Sequence, residues 1–207
     1  VNAANLKKLD HGFLILKQIK KYVPDVILAG GAIRDAYHNK EIKDYDFFIS
    51  SEGCEEDIYD EEFWVELLDL NLDGILCDSI FNASDSDDAS CTHRNHIDLV
   101  WEIEKHDGTV YNIIILDMNP EKFVNQYFDI GLCKAYSNGK KLRLTSDFTY
   151  DSRYHELTIV QQDMTQEEFY RMMDNHVHRL KLKYPGWKLV VPDRFQDYYD
   201  DYNRRKI

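Results

Sequence analysis

The sequence predicts an α/β (α+β) fold, a mixed sheet flanked by helices and closed by a short helical C-terminal tail. Three observations carry this expectation. Apolar runs of strand length, such as Tyr45-Asp-Phe-Phe-Ile and Val110 to Leu116, alternate with segments of helical periodicity. Glycine-containing turns separate these runs, Lys105-His-Asp-Gly and Asn138-Gly139 among them. The last quarter changes character at Thr165-Gln-Glu-Glu168, a capping-box pattern that opens a helix. Residues 1–150 are therefore expected to form the sheet domain, and 151–207 a strand and helix extension packed on it.

Composition limits the partners. Of 207 residues 43% are hydrophobic and 13% aromatic, enough for a real core and too many for a disordered chain. No run of about 18 apolar residues exists, so no transmembrane helix and no membrane partner is expected. The start, VNAANLKKLDHGF, lacks the pattern of a secretory signal. Cys54, Cys77, Cys91 and Cys133 show no C-x-x-C pair, which reads as reduced thiols in a cytoplasmic protein. The net charge of −13 excludes nucleic-acid binding by the average surface, because strands are held by cations that neutralise phosphates. A small or local substrate fits better: a nucleotide plus one strand end, a protein or a metabolite.

Each element has its own signal. Leu6, Leu9, Phe13, Leu16 and Ile19 recur at helical spacing until Pro24. Asp25-Val-Ile-Leu-Ala reads as a short buried strand running into Gly30-Gly31, and Ala32-Ile-Arg-Asp-Ala-Tyr opens a helix. Tyr45 to Ile49 is a strand, Glu61 to Leu70 a helix and Gly74 to Ile80 a strand. Residues 82–93 form a polar, acidic loop. Ile97 to Ile103 and Val110 to Leu116 are strands, and Pro120 opens a helix. Cys133 to Ser137 and Lys141 to Leu144 flank Asn138-Gly139, a dipeptide suited to a tight turn with two positive φ values. The helix from Thr165 runs to about Lys183, where Pro185-Gly186 breaks it before a Tyr-rich tail.

The chemistry concentrates in residues 28–49, LAGGAIRDAYHNKEIKDYDFFI. A strand delivers the chain to two glycines and a helix starts at once, an arrangement that lets backbone amides approach an anion. Twelve residues lie between Gly31 and Asp44. Alternation on the strand puts Asp44 and Asp46 on one face, roughly 6 to 7 Å apart at the backbone, with Tyr45 and Phe47 on the other. Two such carboxylates repel unless a cation stands between them, and hard oxygen ligands suit Mg²⁺ or Mn²⁺. Two ions about 3.5 to 4 Å apart can activate a hydroxyl and stabilise a leaving pyrophosphate, which is most of what phosphoryl transfer requires.

Gly30-Gly31-Ala-Ile-Arg34-Asp35 followed by Asp44-Tyr-Asp46-Phe resembles the GG-x-x-R-D … D-x-D signature of CCA-adding enzymes and bacterial poly(A) polymerases, within the DNA polymerase β-like nucleotidyltransferases. The specific match covers about 22 residues, and a weaker similarity extends to about residue 145. The resemblance implies the polymerase β-like fold, with residues 1–150 as the catalytic domain. It implies that Asp44 and Asp46 ligate the metals, that Gly30 and Gly31 hold the incoming NTP, and that Arg34 and Asp35 support the phosphate-binding turn. It further implies transfer of an NMP to an acceptor hydroxyl, on an RNA 3′ end, a protein or a small molecule, with release of pyrophosphate. The family's third carboxylate stands on a later strand beside the pair. Asp98, in His96-Ile-Asp-Leu-Val, is the first choice for that ligand and base, and Asp117 the competitor. Phe128-Asp129-Ile-Gly-Leu-Cys is weakly similar to the family's D-F-T segment, which makes Asp129 a nucleotide-site candidate, although the arginines expected before it are absent.

CCA-adding enzymes continue into a long helical body that recognises tRNA. Only about 60 residues follow the sheet domain here, which points to a stripped-down catalytic unit. His176-Val-His-Arg-Leu-Lys-Leu-Lys183 is the one clear basic stretch and could track a phosphate backbone or the donor triphosphate, or simply be a solvated helix face. Other features carry less. Cys91, His93 and His96 lack a convergent fourth zinc ligand, and Asp85 to Asp88 lack the glycine and closing glutamate of a calcium loop. Tyr198, Tyr199 and Tyr202 suit packing of a terminal helix better than base stacking. Two rival readings remain: a catalytically silent nucleotidyltransferase-fold regulator, and a protein-interaction factor whose acidic surface imitates nucleic acid.

Overall fold

The computed structural model describes residues 7–54, 56–71, 77–82, 96–105 and 107–206. A 3-10 turn at Lys7–Leu9 leads into α1 (Asp10–Ile19), whose Ile15, Leu16 and Ile19 are fully buried. Gly12 lets this helix lie directly on the sheet, because a Cβ there would stand 2.6 Å from the Tyr45 ring. The chain then runs through β1 (Ile27–Ala29), α2 (Gly31–Tyr37), β2 (Asp44–Ser50), α3 (Glu61–Asn71), β3 (Cys77–Asn82), β4 (Ile97–Lys105), β5 (Val110–Leu116), α4 (Pro120–Tyr127), β6 (Ala135–Ser137) and β7 (Leu142–Leu144).

These strands form a seven-stranded sheet in the order β3-β4-β5-β2-β1-β6-β7. Strands β2 and β5 run parallel, and every other neighbouring pair is antiparallel. The sheet is thus mixed, with helices on both faces. Alternation along β2 divides the core. Tyr45, Phe47 and Ile49 join the larger cluster with Leu16, Ile33 and Trp64, whereas Phe48 packs with Ile27, Ile114 and Leu116 beneath Phe123 and Val124 of α4. Asp44 and Asp46 share the face of Phe48.

Several expectations need adjustment. The strand expected at Gly74 to Ile80 is described from Cys77 to Asn82; residues 74–76, and the acidic loop beyond Asn82 with Asp85, Cys91 and His93, lie outside the described residues. The hairpin at Asn138-Gly139 is not a two-residue turn. Gly139 alone takes positive φ (81°), and four residues span the strands, with Asn138 Oδ1 accepting from the amides of Lys140 and Lys141 at 3.1 Å. A helix the sequence pattern did not announce, α5 (Ser146–Tyr154), runs across position 150, capped by Thr145 Oγ1 accepting from the Phe148 amide at 3.2 Å.

A parallel pair, β8 (Glu156–Thr158) and β9 (Lys188–Val190), brackets the next helices. The Thr165–Glu168 capping box forms in both directions. The single helix expected from it has three parts: α6 (Gln166–Met172), a π-helical turn (Met173–Val177) and α7 (His178–Lys183). The tail forms α8 (Gln196–Arg205), whose Tyr202 hydroxyl donates to Asp174 at 2.6 Å while the Tyr198 ring packs against Phe169 and Phe195. Leu157, Phe169, Leu180 and Phe195 share the sheet domain's larger core cluster. Among the described residues no helix is long and apolar enough to cross a membrane.

Candidate active site

Antiparallel pairing sets Ala29 opposite Asp46, so the turn that follows β1 lies alongside the acidic end of β2. Gly30 has φ 74° and ψ −126°, backbone that side chains rarely adopt, and its amide donates to Ala135 O at 3.0 Å. A Cβ on Gly30 would stand 3.5 Å from Asp46 Oδ2. One on Gly31 would stand 3.6 Å from Asp44 Oδ1 and 4.0 Å from Asp46 Oδ2. The structure therefore brings Gly30, Gly31, Asp44 and Asp46 together, with open backbone facing two carboxylates.

Both carboxylates are half-buried. Burial first, and the neighbouring charge of Asp44 second, raise the pKa of Asp46, while Asn112, Arg34 and Arg179 pull it down. Asn112 Nδ2 donates to Asp46 Oδ1 at 2.8 Å. Two hard-oxygen ligands on one face, one of them reluctant to ionise, fit a divalent cation, whose charge would relieve both penalties. Among the described residues no third His, Cys, Asp or Glu joins them to make a group able to hold a metal.

Asp98 is not brought to this pair. The strand beside β2 is β5, and its residue in register with Asp46 is Asn112. On β4 the residue opposite Asn112 is Glu102, and Glu104 stands opposite Val110, itself level with Asp44. Asp98 lies in an irregularity at the start of β4, level with Ile115 and Leu116, at the far end of the sheet from Asp44. It is exposed and accepts from the Tyr59 hydroxyl at 3.2 Å. Asp117 sits at that same far end, paired with His96 Nδ1 at 2.9 Å. The local apolar pattern around Asp98 was sound, but antiparallel registration carried it to the wrong end. Glu102 shares the face of Asp46, and its pKa is raised by burial, then by Glu104 and Asp44.

Arg34 and Asp35 lie beneath the turn, in the body of α2, and are buried. Arg34 donates from Nε and Nη2 to Asp35 Oδ1 and Oδ2 at 2.8 and 3.0 Å, and from Nη1 to Cys133 Sγ at 3.2 Å. Its hydrogen bonds are thus directed inward, to Asp35 and Cys133. Asp35 also accepts from Lys183 Nζ and, at 2.8 Å, from the Tyr184 hydroxyl. Burial alone would raise the Asp35 pKa, but the charges and hydrogen bonds of Arg34 and Lys183 together outweigh it and hold the carboxyl low.

Asp129 does not face the turn. Its carboxylate accepts from His176 Nδ1 at 2.9 and 3.0 Å, and His176 Nε2 lies 3.5 Å from Cys133 Sγ. Burial opposes charge on both partners, yet their mutual attraction, together with Cys133 beside His176 and the backbone amides of Asp129 and Ile130, outweighs it: Asp129 is lowered and His176 is raised to about 10. Phe128, the preceding residue, is the one that touches the turn, 3.5 Å from where the Gly30 Cβ would stand. The basic stretch divides accordingly. His176 and Lys183 turn inward, whereas Arg179 is exposed and its charge is felt at Asp46. No sequence signal marks Asn112 or Cys133 as a site residue, and His176 and Lys183 stand out only as parts of the basic stretch, not as the inward-facing partners of Asp129 and Asp35. Asn112 shares its strand face with the apolar Val110, Ile114 and Leu116, so only the register of β5 on β2 reveals it beside Asp46.

No protein-family model and no curated protein matches this sequence. Solved structures do. A Thermotoga maritima CCA-adding enzyme complexed with tRNA superposes with a TM-score of 0.63 at 12% identity, over 99% of this chain and 45% of that one. This is the nucleotidyltransferase fold. A CCA-adding enzyme with ATP matches equally (TM-score 0.63, 12% identity, 98% of this chain and 44% of that one). A tRNA-processing enzyme gives 0.59 at 14% identity, over 99% and 48%. The chain spans less than half the length of these structures. At such identity the nucleotidyltransferase likeness is one of fold, and the site residues must speak for the chemistry.

Proposed function

We propose that the protein is a metal-dependent nucleotidyltransferase that moves an NMP from an NTP to an acceptor hydroxyl and releases pyrophosphate. One observation carries this reading: the Gly30–Gly31 turn meets Asp44 and Asp46 with only 3.5–4.0 Å between the glycine Cβ positions and the carboxylate oxygens. Bare backbone there admits a polyphosphate beside the acids. Asp44 and Asp46 would hold Mg²⁺ or Mn²⁺. When bound, such ions neutralise charge at the reacting phosphate and on the leaving pyrophosphate.

The remaining contributions come from the chain. Asn112 fixes the Asp46 carboxylate by its hydrogen bond. Arg34 and Asp35 brace the turn from below. Arg179, exposed on α7 with its charge reaching Asp46, suits an anionic leaving group. Attack of the hydroxyl forms one P–O bond at the α-phosphorus and breaks the bond to the oxygen bridging to the β-phosphate. The likeness to enzymes solved with tRNA, CTP and ATP favours an RNA 3′ end as acceptor, ahead of a protein or a small molecule. With a net charge of −13, contact with that RNA would be confined to the end itself. The free thiols of Cys54 and Cys133 suit the cytoplasm.

A second reading has one observation in its favour. An amide, Asn112, occupies the position beside Asp46 on the adjacent strand, where a third carboxylate would stand. A protein with that site could bind an NTP without turning it over and act as a regulator.

The test incubates the protein and Mg²⁺ or Mn²⁺ with each labelled NTP and total RNA or protein, and follows pyrophosphate release and label transfer. Release is expected, with loss in the Asp44→Ala, Asp46→Ala double variant and no change in Asp98→Asn. Release that survives the double variant overturns the enzymatic reading. Tight NTP binding without release establishes the silent one.

A further inference from the structure

We propose that His176 is a positioning residue of the nucleotide site, acting on the Gly30–Gly31 turn through Cys133 and Arg34; the inference rests on the nucleotidyltransferase reading above. The helix that carries it departs from α-geometry at one place only, the π-helical turn Met173–Val177, and His176 is the fourth residue of that turn. Such turns are rare and are found frequently at functional sites. Here Met173 and Val177 stay in the core while His176 points into the sheet domain.

There it meets Asp129, whose side chain is 8% exposed, and then Cys133. Cys133 Sγ accepts from Arg34 Nη1 at 3.2 Å, and the other two nitrogens of that guanidinium are held by Asp35. Arg34 Nη2 lies 3.6 Å from where a Gly31 Cβ would stand, so the guanidinium is the floor of the turn. The run from Asp129 through the partly buried His176, then Cys133 and Arg34, to Asp35 is thus one continuous polar chain that ends under the glycines. Without His176, Asp129 is a buried carboxylate without its cation, and Cys133 no longer has a partner opposing Arg34. The floor then loses one of its fixed points, and the turn loses its setting against Asp44 and Asp46.

The mechanism makes a specific demand: the triphosphate should feel the change and the rest of the nucleotide should not. Affinity for each of the four NTPs with Mg²⁺, and for the parent NMPs by competition, would be measured on the full chain. His176→Gln and Asp129→Asn should each weaken the NTP roughly tenfold or more, with NMP affinity changed less than about twofold. Val177→Ala removes buried packing from the same π-turn without touching the polar chain. It should lower Tm and leave the NTP preference intact. Cys133→Ala cuts the chain without stranding a carboxylate, and reads the same link if His176→Gln fails to fold. Wild-type preference for NTP in His176→Gln or Cys133→Ala overturns the positioning role and leaves the site reading standing. A wild-type protein with no preference for NTP over NMP overturns both.

Discussion

At pH above about 7, where Asp46 is charged despite its raised pKa, Asp46→Asn should make the cation-free protein more stable. The substitution keeps size and shape, and the amide oxygen it introduces can still accept from Asn112 Nδ2, which now bonds Asp46 Oδ1 at 2.8 Å. What disappears is a half-buried charge beside Asp44. Two residues apart on one face of a strand, the carboxylates stand about 6.6 Å apart at the backbone. At an effective dielectric of about 20 their repulsion is about 2.5 kcal/mol. Part of that is offset because Asp46 also loses its attraction to Arg34 and Arg179. A net gain of about 1–2 kcal/mol remains, or roughly 2–8 °C in Tm for a chain of this size. Thermal unfolding in EDTA, followed by circular dichroism, reads it directly. Adding Mn²⁺ should then raise the wild-type Tm and leave Asp46→Asn nearly unmoved, closing or reversing the gap. A variant less stable than wild type in EDTA, or a wild type indifferent to Mn²⁺, would refute the argument that this pair is held in want of a cation.

Three further outcomes follow from the same geometry. Gly30→Ala forces a side chain into φ 74°, and should cost about 1–3 kcal/mol in chemical denaturation while placing a methyl against Asp46 and Phe128. Asn112→Asp sets a third carboxylate beside Asp46, replacing an attractive hydrogen bond by repulsion; stability without cation should fall by about 2 kcal/mol, and Mn²⁺ affinity by calorimetry should rise. The His176–Asp129 pair predicts a pH window. His176 is raised from 6.5 to about 10, so its contribution is complete below about 6.5 and drains away as pH climbs to about 10. Asp129 is lowered, so its contribution is present above its ordinary 3.8 and is lost as pH falls through its folded value. The stability gap between wild type and His176→Gln, about 3 kcal/mol for a broken buried pair, should be widest between about pH 4 and 6.5. A gap that widens from pH 7 to 10 contradicts the assignment.

Much of the fold was legible because its signals are local. The glycine turn and Asp44–Asp46 announce themselves within one strand, a turn and the next strand, and the two-residue period of a strand decides which face each acid takes. Helix α5 was not legible for an equally physical reason: along Ser146–Tyr154 only Phe148 and Asp151 are buried, so no apolar stripe marks it. The neighbours of the acidic pair were hidden by distance in sequence. Asp98 has the strand pattern expected of a third ligand, and only the register of β4 on β5 and β5 on β2 shows that Glu102 is the residue carried level with Asp46. Asp129 and His176 are likewise 47 positions apart, and nothing in either segment names the other. A histidine inside a basic run reads as solvated surface until a π-turn rotates it inward.

The lone parallel pairing in the sheet bears on how the site is put together during folding. Strand β1, the glycine turn, α2 and β2 are contiguous, so the glycines and both acids can meet through an antiparallel contact that closes a short segment. Strand β5 has to return alongside β2 in the same direction after an excursion of about 60 residues, whose closure costs about 3–4 kcal/mol of chain entropy. Loop closure therefore favours the contact between the acidic corner and its glycines over the long-range pairing that brings Asn112, the brace of Asp46. A chain caught before β5 docks would already carry its two charges face to face with nothing to hold them.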